Sequence, residues 1–166
     1  MDKLRSYYRA SKYFAQAQPI FESLINSNKK ILSEFNEDII CRIAKILGIK
    51  FSFVRASQIQ RIPIGSAQDT ILSICKEVGG NEYYNFKRGI ELGLYNIKKF
   101  SENGVKIFRQ DYQHPIYAQK GNKFMPKLSI ADLLYSEDIS AAIEVIRSGR
   151  KWSLMYIFLS QLYINK

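Results

Sequence analysis

His114 is the only histidine among 166 residues, and imidazole is the one side chain that titrates near neutrality without help. It is therefore the natural general base or acid of this chain. Asp132, further along the same stretch, offers a carboxylate for the same work, and Tyr117, Gln119 and Asn122 offer hydroxyl and amide groups that can orient a sugar or a nucleobase. A second set suits an anion. Ser66, Gln68 and Asp69 lie where a strand feeds a helix; Asn85, Lys87 and Arg88 follow a second strand; Arg109 closes a third. In open parallel sheets, ligands bind beyond the carboxyl ends of the strands and phosphates favour helix N-termini. These positions then form a phosphate-facing rim. Plainer roles stand beside these. His114 can hydrogen-bond backbone ahead of Pro115, Asp132 can stabilise a helix dipole, Tyr117 can simply pack, and charged loop residues are usually just solvated.

No Ser-His-Asp order, Cys-His pair, metal-ligand set or Gly-x-Gly-x-x-Gly stands in the chain, and Gly89-x-x-x-Gly93 lacks the Lys-Ser/Thr of a P-loop. Neither a metal nor a cofactor is expected. Cys41 and Cys75 each fall on the apolar stripe of an expected helix and read as buried free thiols of a reducing cytoplasm.

The elements that must position these residues follow from periodicity and punctuation. A basic, aromatic helix is expected over 3–15, broken by Gln18-Pro19, with Pro19 in the first turn of the next helix. Ser27 is expected to cap a third helix whose apolar positions Ile31, Leu32, Phe35, Ile39, Ile43 and Ile46 keep the helical period up to Gly48. A strand follows from Lys50 to Arg55, then a turn with Pro63 and Gly65. Ser66 and Asp69 have capping-box spacing ahead of a helix closed by Gly79-Gly80. Glu82 to Phe86 reads as a strand, Leu94 to Asn103 as a helix closed by Gly104, and Val105 to Arg109 as a further strand. Ser129 and Asp132 repeat the capping spacing, and Ser136 is expected to cap a last helix, Ile139 to Arg147. The alternation of strands and helices predicts an α/β fold: a helical section over 1–48, then a small parallel sheet of about three strands with flanking helices over 49–149. One domain spans 1–149, and residues 150–166 form a divergent apolar tail.

Composition agrees with a globular chain of 46% hydrophobic and 24% charged residues. The net charge of +10 raises nucleic acid or an anionic membrane surface as partners. The charge is spread, though: ten Lys/Arg against five Asp/Glu in 1–60, and fifteen against ten in 61–166. With no block of like charge, nucleic acid is argued against; the charge reads first as a solvated basic surface, and next as a site for anionic ligands such as nucleotide-sugars or phospholipid head groups. The N-terminus lacks the apolar core of a signal peptide, so a cytoplasmic location is expected. The tail is too short to span a bilayer, which needs about 20 residues, but a basic-flanked run of this kind can rest on a membrane surface.

The order His114-Pro-x-Tyr117-x-Gln119-x-Gly121-x-x-Phe124-x-Pro126-x-Leu128-Ser129-Ile130-x-Asp132-Leu133-Leu134 resembles the C-terminal signature of the WbqC-like family. Lys3-Leu4-Arg5 with Tyr13-Phe14, the segment from Ala44 through Ser57, and Asp69-x-Ile71-Leu72-x-Ile74-Cys75-x-x-x-Gly79 extend the resemblance to about residue 148. It implies bacterial surface-polysaccharide (O-antigen) biosynthesis, and a chain that binds or modifies a nucleotide-activated amino sugar by group transfer. On this reading His114 assists proton removal. Two departures stand out. The family's opening glutamine-proline-aromatic, Asp-Asp-Val-Gln-like and Trp-x-Asn-Arg motifs have no counterpart here, and a Ser-Gly-Pro-type turn is replaced by Asn85-Phe86-Lys87. The resemblance thus also admits a non-catalytic piece needing a partner chain, or a homo-oligomer. A third reading, a nucleic-acid or membrane-surface binder, predicts binding that weakens steeply with salt.

Overall fold

The computed structural model describes residues 2–60, 65–121 and 123–155. The expected turn at Pro63, the candidate Asn122 and the apolar run from 156 onward lie outside the described residues. In chain order the elements are α1 (Asp2–Tyr8), α2 (Phe14–Ile25), α3 (Leu32–Ile46), α4 (Ala67–Glu77), β1 (Glu82–Phe86), α5 (Lys87–Glu91), α6 (Ile97–Glu102), β2 (Lys106–Gln110), α7 (Ile130–Ser136), α8 (Ile139–Ser148) and β3 (Trp152–Leu154), with one 3-10 turn at Ala56–Gln58. They form two compact units, each built from two chain segments: residues 1–51 with 114–149, and residues 52–113 with 150–166. Among the described residues no helix is long and apolar enough to cross a membrane.

The first unit is helical. Ala17, Leu134, Tyr135 and Ala142 are fully enclosed, and Tyr135 is the largest of these four. Tyr8 stacks flat on the Tyr135 ring at 4.4 Å between centroids, and Phe21 lies 5.5 Å from it. Small residues at Ala17 and Ala142 leave room for that ring, so α2, α7 and α8 close around an aromatic centre.

Four expectations for this unit are corrected. The first helix stops at Tyr8, and Pro19 sits inside α2 rather than at its start. A proline there removes the amide that would bond the carbonyl of Ala15, and α2 holds because its apolar face is buried at Ala17, Phe21 and Leu24. Ser27 does not cap α3, which begins at Leu32 without a side-chain cap; its hydroxyl reaches Asp38 at 3.4 Å instead. Ser136 is the last residue of α7, and Asp138 caps α8 by accepting from the amides of Ser140 at 2.8 Å and Ala141 at 3.0 Å. A carboxylate at a helix N-terminus is held by charge as well as by hydrogen bonds. The glycine stop of α3 stands as expected, with Gly48 in the left-handed region at φ +66°.

The second unit is α/β. β1 and β2 run parallel in the register Glu82↔Lys106 to Phe86↔Gln110, joined by α5 and α6. The third strand is where expectation and structure part. Residues 51–55 are exposed and form no strand, and β3 pairs antiparallel with β2 through Phe108↔Leu154 and Gln110↔Trp152. The sheet is therefore mixed, with the order β1-β2-β3. A strand lasts only where a neighbour accepts its amides and carbonyls, and the free edge of β2 is taken by β3. The expected helix at 94–103 shortens to α6, and α5 is an addition to the expected elements. Leu72, Cys75, Phe100, Val105 and Ile107 form the core on one sheet face. Cys75 is buried there and Cys41 is half-buried in α3; both are free thiols.

Candidate functional site

In the first unit, Ser129 caps α7 by accepting from the amide of Ala131 at 3.1 Å, which turns the next residues inward. Asp132, one of them, is 4% exposed. Its two oxygens are each taken: Oδ1 accepts from the Tyr8 hydroxyl at 2.7 Å and Oδ2 from the Tyr117 hydroxyl at 2.8 Å. A buried carboxylate needs such donors, because an unpaired one would be expelled or neutralised. Burial and the Asp132 carboxylate together hold the Tyr8 phenol well above its ordinary range. The Asp132 carboxylate thus clamps α1 and the loop after β2 to α7.

That loop carries the other candidates. His114 is exposed, and Tyr117 is half-buried with Phe124 edge-on at 5.6 Å. Gln119 closes the loop on itself: its amide nitrogen donates to the Met125 carbonyl at 3.0 Å, and its oxygen accepts from the Met125 amide at 2.7 Å. Lys120 lies over the Tyr7 ring at 4.7 Å and donates to the Tyr7 carbonyl. The loop is irregular in backbone yet fixed at Tyr117 and Gln119 by side chains.

In the second unit, the parallel register sets Asn85 beside Arg109 at the carboxyl edge of β1 and β2, and Lys87 and Arg88 follow directly. Lys87 faces Asp111 at 3.6 Å and Glu91 at 3.9 Å, and Arg109 faces Glu91 at 4.0 Å. Arg109 Nε donates to Ser153 at 3.3 Å. These ion pairs are longer than good hydrogen bonds, so the cations are held near one another without being saturated. Asn85 donates to the Tyr83 hydroxyl at 3.2 Å and accepts from the Phe86 amide at 2.7 Å. Burial, with the Tyr95 hydroxyl beside it, pushes the Tyr83 phenol above its ordinary range.

Ser66, Gln68 and Asp69 join the starts of two helices. Ser66 caps α4 and donates to Asp69 at 2.5 Å. Asp69 pairs with Lys99 at 2.5 Å, and Gln68 accepts from the Asn96 amide at 3.1 Å. The Lys99 ammonium and the Ser66 hydroxyl hold the Asp69 carboxyl below its usual range. The N-terminus of α4 therefore already carries a carboxylate of its own.

Of the sequence candidates, the structure joins Asp132 to Tyr117, sets Asn85, Lys87 and Arg109 on one edge, and ties Ser66, Gln68 and Asp69 to α6. Four partners escaped the sequence reading: Tyr8, Glu91, Lys99 and Asp111. Nothing in the sequence marks Tyr8, which meets Asp132 from 124 positions away. Glu91 was findable as the i+4 partner of Lys87 on a helix. Compared with known proteins, the chain matches the model of the WbqC-like protein family over residues 1–143. No curated protein and no solved structure matches it.

Proposed function

Because the chain belongs to the WbqC-like protein family, we propose that it serves bacterial surface-polysaccharide (O-antigen) biosynthesis in the cytoplasm, binding a nucleotide-activated amino sugar for group transfer to the sugar amine. The observation that carries this reading is the carboxyl edge of β1 and β2, where Asn85, Lys87, Arg88 and Arg109 gather. A diphosphate competes well for cations held in loose, exposed ion pairs, since such pairs are individually weak and a guanidinium meets phosphate in a two-pronged geometry.

The chemistry assigned to His114 is acceptance of one proton. In such a transfer the amine nitrogen forms a bond to the transferred group, the donor's leaving group departs with its bonding pair, and a base takes the released proton; the family resemblance alone assigns that part to His114, which belongs to the first unit, while the carboxyl edge belongs to the second. Asp132 then holds the His114 loop in place through Tyr117, and Gln119 shapes it.

Thermal shift of the purified chain against nucleotide-sugars, a free nucleoside diphosphate and a free amino sugar tests the binding. At a hundred times its dissociation constant, a ligand adds about 2.7 kcal/mol. Stabilisation by the nucleotide-sugar and the diphosphate is expected, lost in Arg109→Ala and retained in His114→Ala. A folded chain stabilised by none of them refutes the assignment.

A further inference from the structure

The two faces of the sheet differ. Pairing and alternation put Tyr83, Asn85, Ile107 and Arg109 on one face, over the core of the second unit. The other face carries Glu82, Tyr84 and Phe86 from β1, Lys106, Phe108 and Gln110 from β2, and Trp152 and Leu154 from β3. Three of its four aromatic side chains are open, Tyr84 at 48%, Phe86 at 70% and Trp152 at 44% exposed, and Phe108 is half-buried. They are also ordered against one another. Tyr84 lies flat against Phe108 at 4.8 Å and 13°, and Trp152 meets Tyr84 edge-on at 4.8 Å. Parallel strands are normally covered on both faces, and contiguous exposed apolar surface marks an interaction site. Tyr, Trp and Phe are also the residues enriched in the cores of protein interfaces.

We propose that this open face, built on Tyr84, Phe86, Phe108 and Trp152, docks against the same face of a second copy of the chain. The charges on it select that occupant. Glu82 and Lys106 stand side by side in register at one end of the face, and Tyr84 donates to Glu82 at 2.7 Å. A carboxylate there repels a nucleic acid or an anionic membrane. An isologous contact instead needs a patch that complements itself. A two-fold axis along the strands, between β1 and β2, sets Glu82 against the partner's Lys106, and Lys106 against the partner's Glu82. The same axis lays Tyr84 over the partner's Phe108, in the aligned packing that two sheets adopt about 10 Å apart. A face of three short strands is small for a specific interface, so association is expected at the weak end, with a dissociation constant on the order of micromolar or above.

Sedimentation equilibrium over a concentration series from about 1 to 500 μM, covering that range, provides the test. The wild-type chain is expected to pass from 19.3 kDa to twice that mass. Glu82→Lys and Lys106→Glu each set like charges against one another twice across the axis, and each should weaken association at least about tenfold. The double swap, Glu82→Lys with Lys106→Glu, restores opposite signs and should return it to within about threefold of wild type. That rescue also separates loss of the contact from damage to the fold, since both positions are exposed. A wild-type chain monomeric throughout the series overturns the proposal, even if it binds vesicles or oligonucleotides. So does a dimer that neither single swap weakens, or one weakened by both that the double swap leaves apart.

Discussion

Asp132 shows how much one buried carboxylate can organise. With both oxygens accepting phenol hydroxyls, it joins α7 to the loop just before it and to α1, 124 positions away. A hydrogen bond to a charged acceptor contributes roughly 1.5–3 kcal/mol, and its loss leaves part of the carboxylate unsatisfied. Tyr8→Phe and Tyr117→Phe are each expected to lower unfolding free energy by about 1–3 kcal/mol in urea titrations. Because the two phenols share one acceptor, the double variant should depart from additivity by at least about 0.5 kcal/mol. Strict additivity would mean the two bonds do not act on a common group. Leu134, fully enclosed beneath the same network, provides an apolar counterpart: Leu134→Ala should cost about 2–5 kcal/mol through lost contact and residual cavity.

At the scale of elements, caps and breaks are decided by what each helix end meets. Pro19 stands inside α2 and leaves one intrahelical bond unmade. Pro19 is exposed, so Pro19→Ala restores the amide without disturbing the core. The variant should be more stable by on the order of 1–3 kcal/mol, the propensity difference in a helix interior. A melting temperature unchanged or lowered would show that α2 adapts to the proline at no cost. Ser66 caps α4 and at the same time orients Asp69 toward Lys99. Ser66→Ala removes the cap, with an expected loss of about 1 kcal/mol in the same titrations.

The whole molecule adds these groups into a dependence on pH. Tyr8 and Tyr83 are raised above the ordinary 10.0, chiefly by burial, and Tyr135 and Tyr112 are raised for the same reason. The folded state keeps those protons when the unfolded chain loses them, so their stabilisation is complete below about pH 10 and falls as pH rises through the raised values. Asp69, Asp138 and Glu22 are shifted the other way. Asp69 is held by Lys99 and Ser66, Asp138 by Ser140 and the Ala141 amide, and Glu22 by Gln18 and Arg5. Their contribution is present above the ordinary carboxylate range and is lost as pH falls through the lowered values. Melting temperature against pH should therefore be flat from about pH 5 to 9 and drop on both sides. Tyr8→Phe should lower the plateau while flattening the alkaline limb, and an alkaline limb of unchanged slope would remove Tyr8 from that account.

Local chemistry was legible in the sequence. The helix of Ser66, the stop at Gly48, the strand Glu82–Phe86, its parallel neighbour and the irregular loop through His114 are all written in short-range signals: capping oxygens, left-handed glycines, alternation and punctuation. The family could be read from one stretch for the same reason, because its motif is local. Partnership could not. Residues 51–55 alternate like a strand and form none, since a strand exists only where another presents its edge, and Trp152–Leu154 take that edge of β2. Asp132 reads as a helix-start carboxylate until Tyr8, from 124 positions away, and Tyr117, from the preceding loop, bind both its oxygens. Lys87 and Arg109 read as solvated cations until the parallel register brings Asp111 beside the first and Glu91 beside the second. Backbone propensity acts over a few residues. Which donor meets which acceptor, and which sheet face stays open, is decided only when the chain closes on itself and distant groups compete for the same partner.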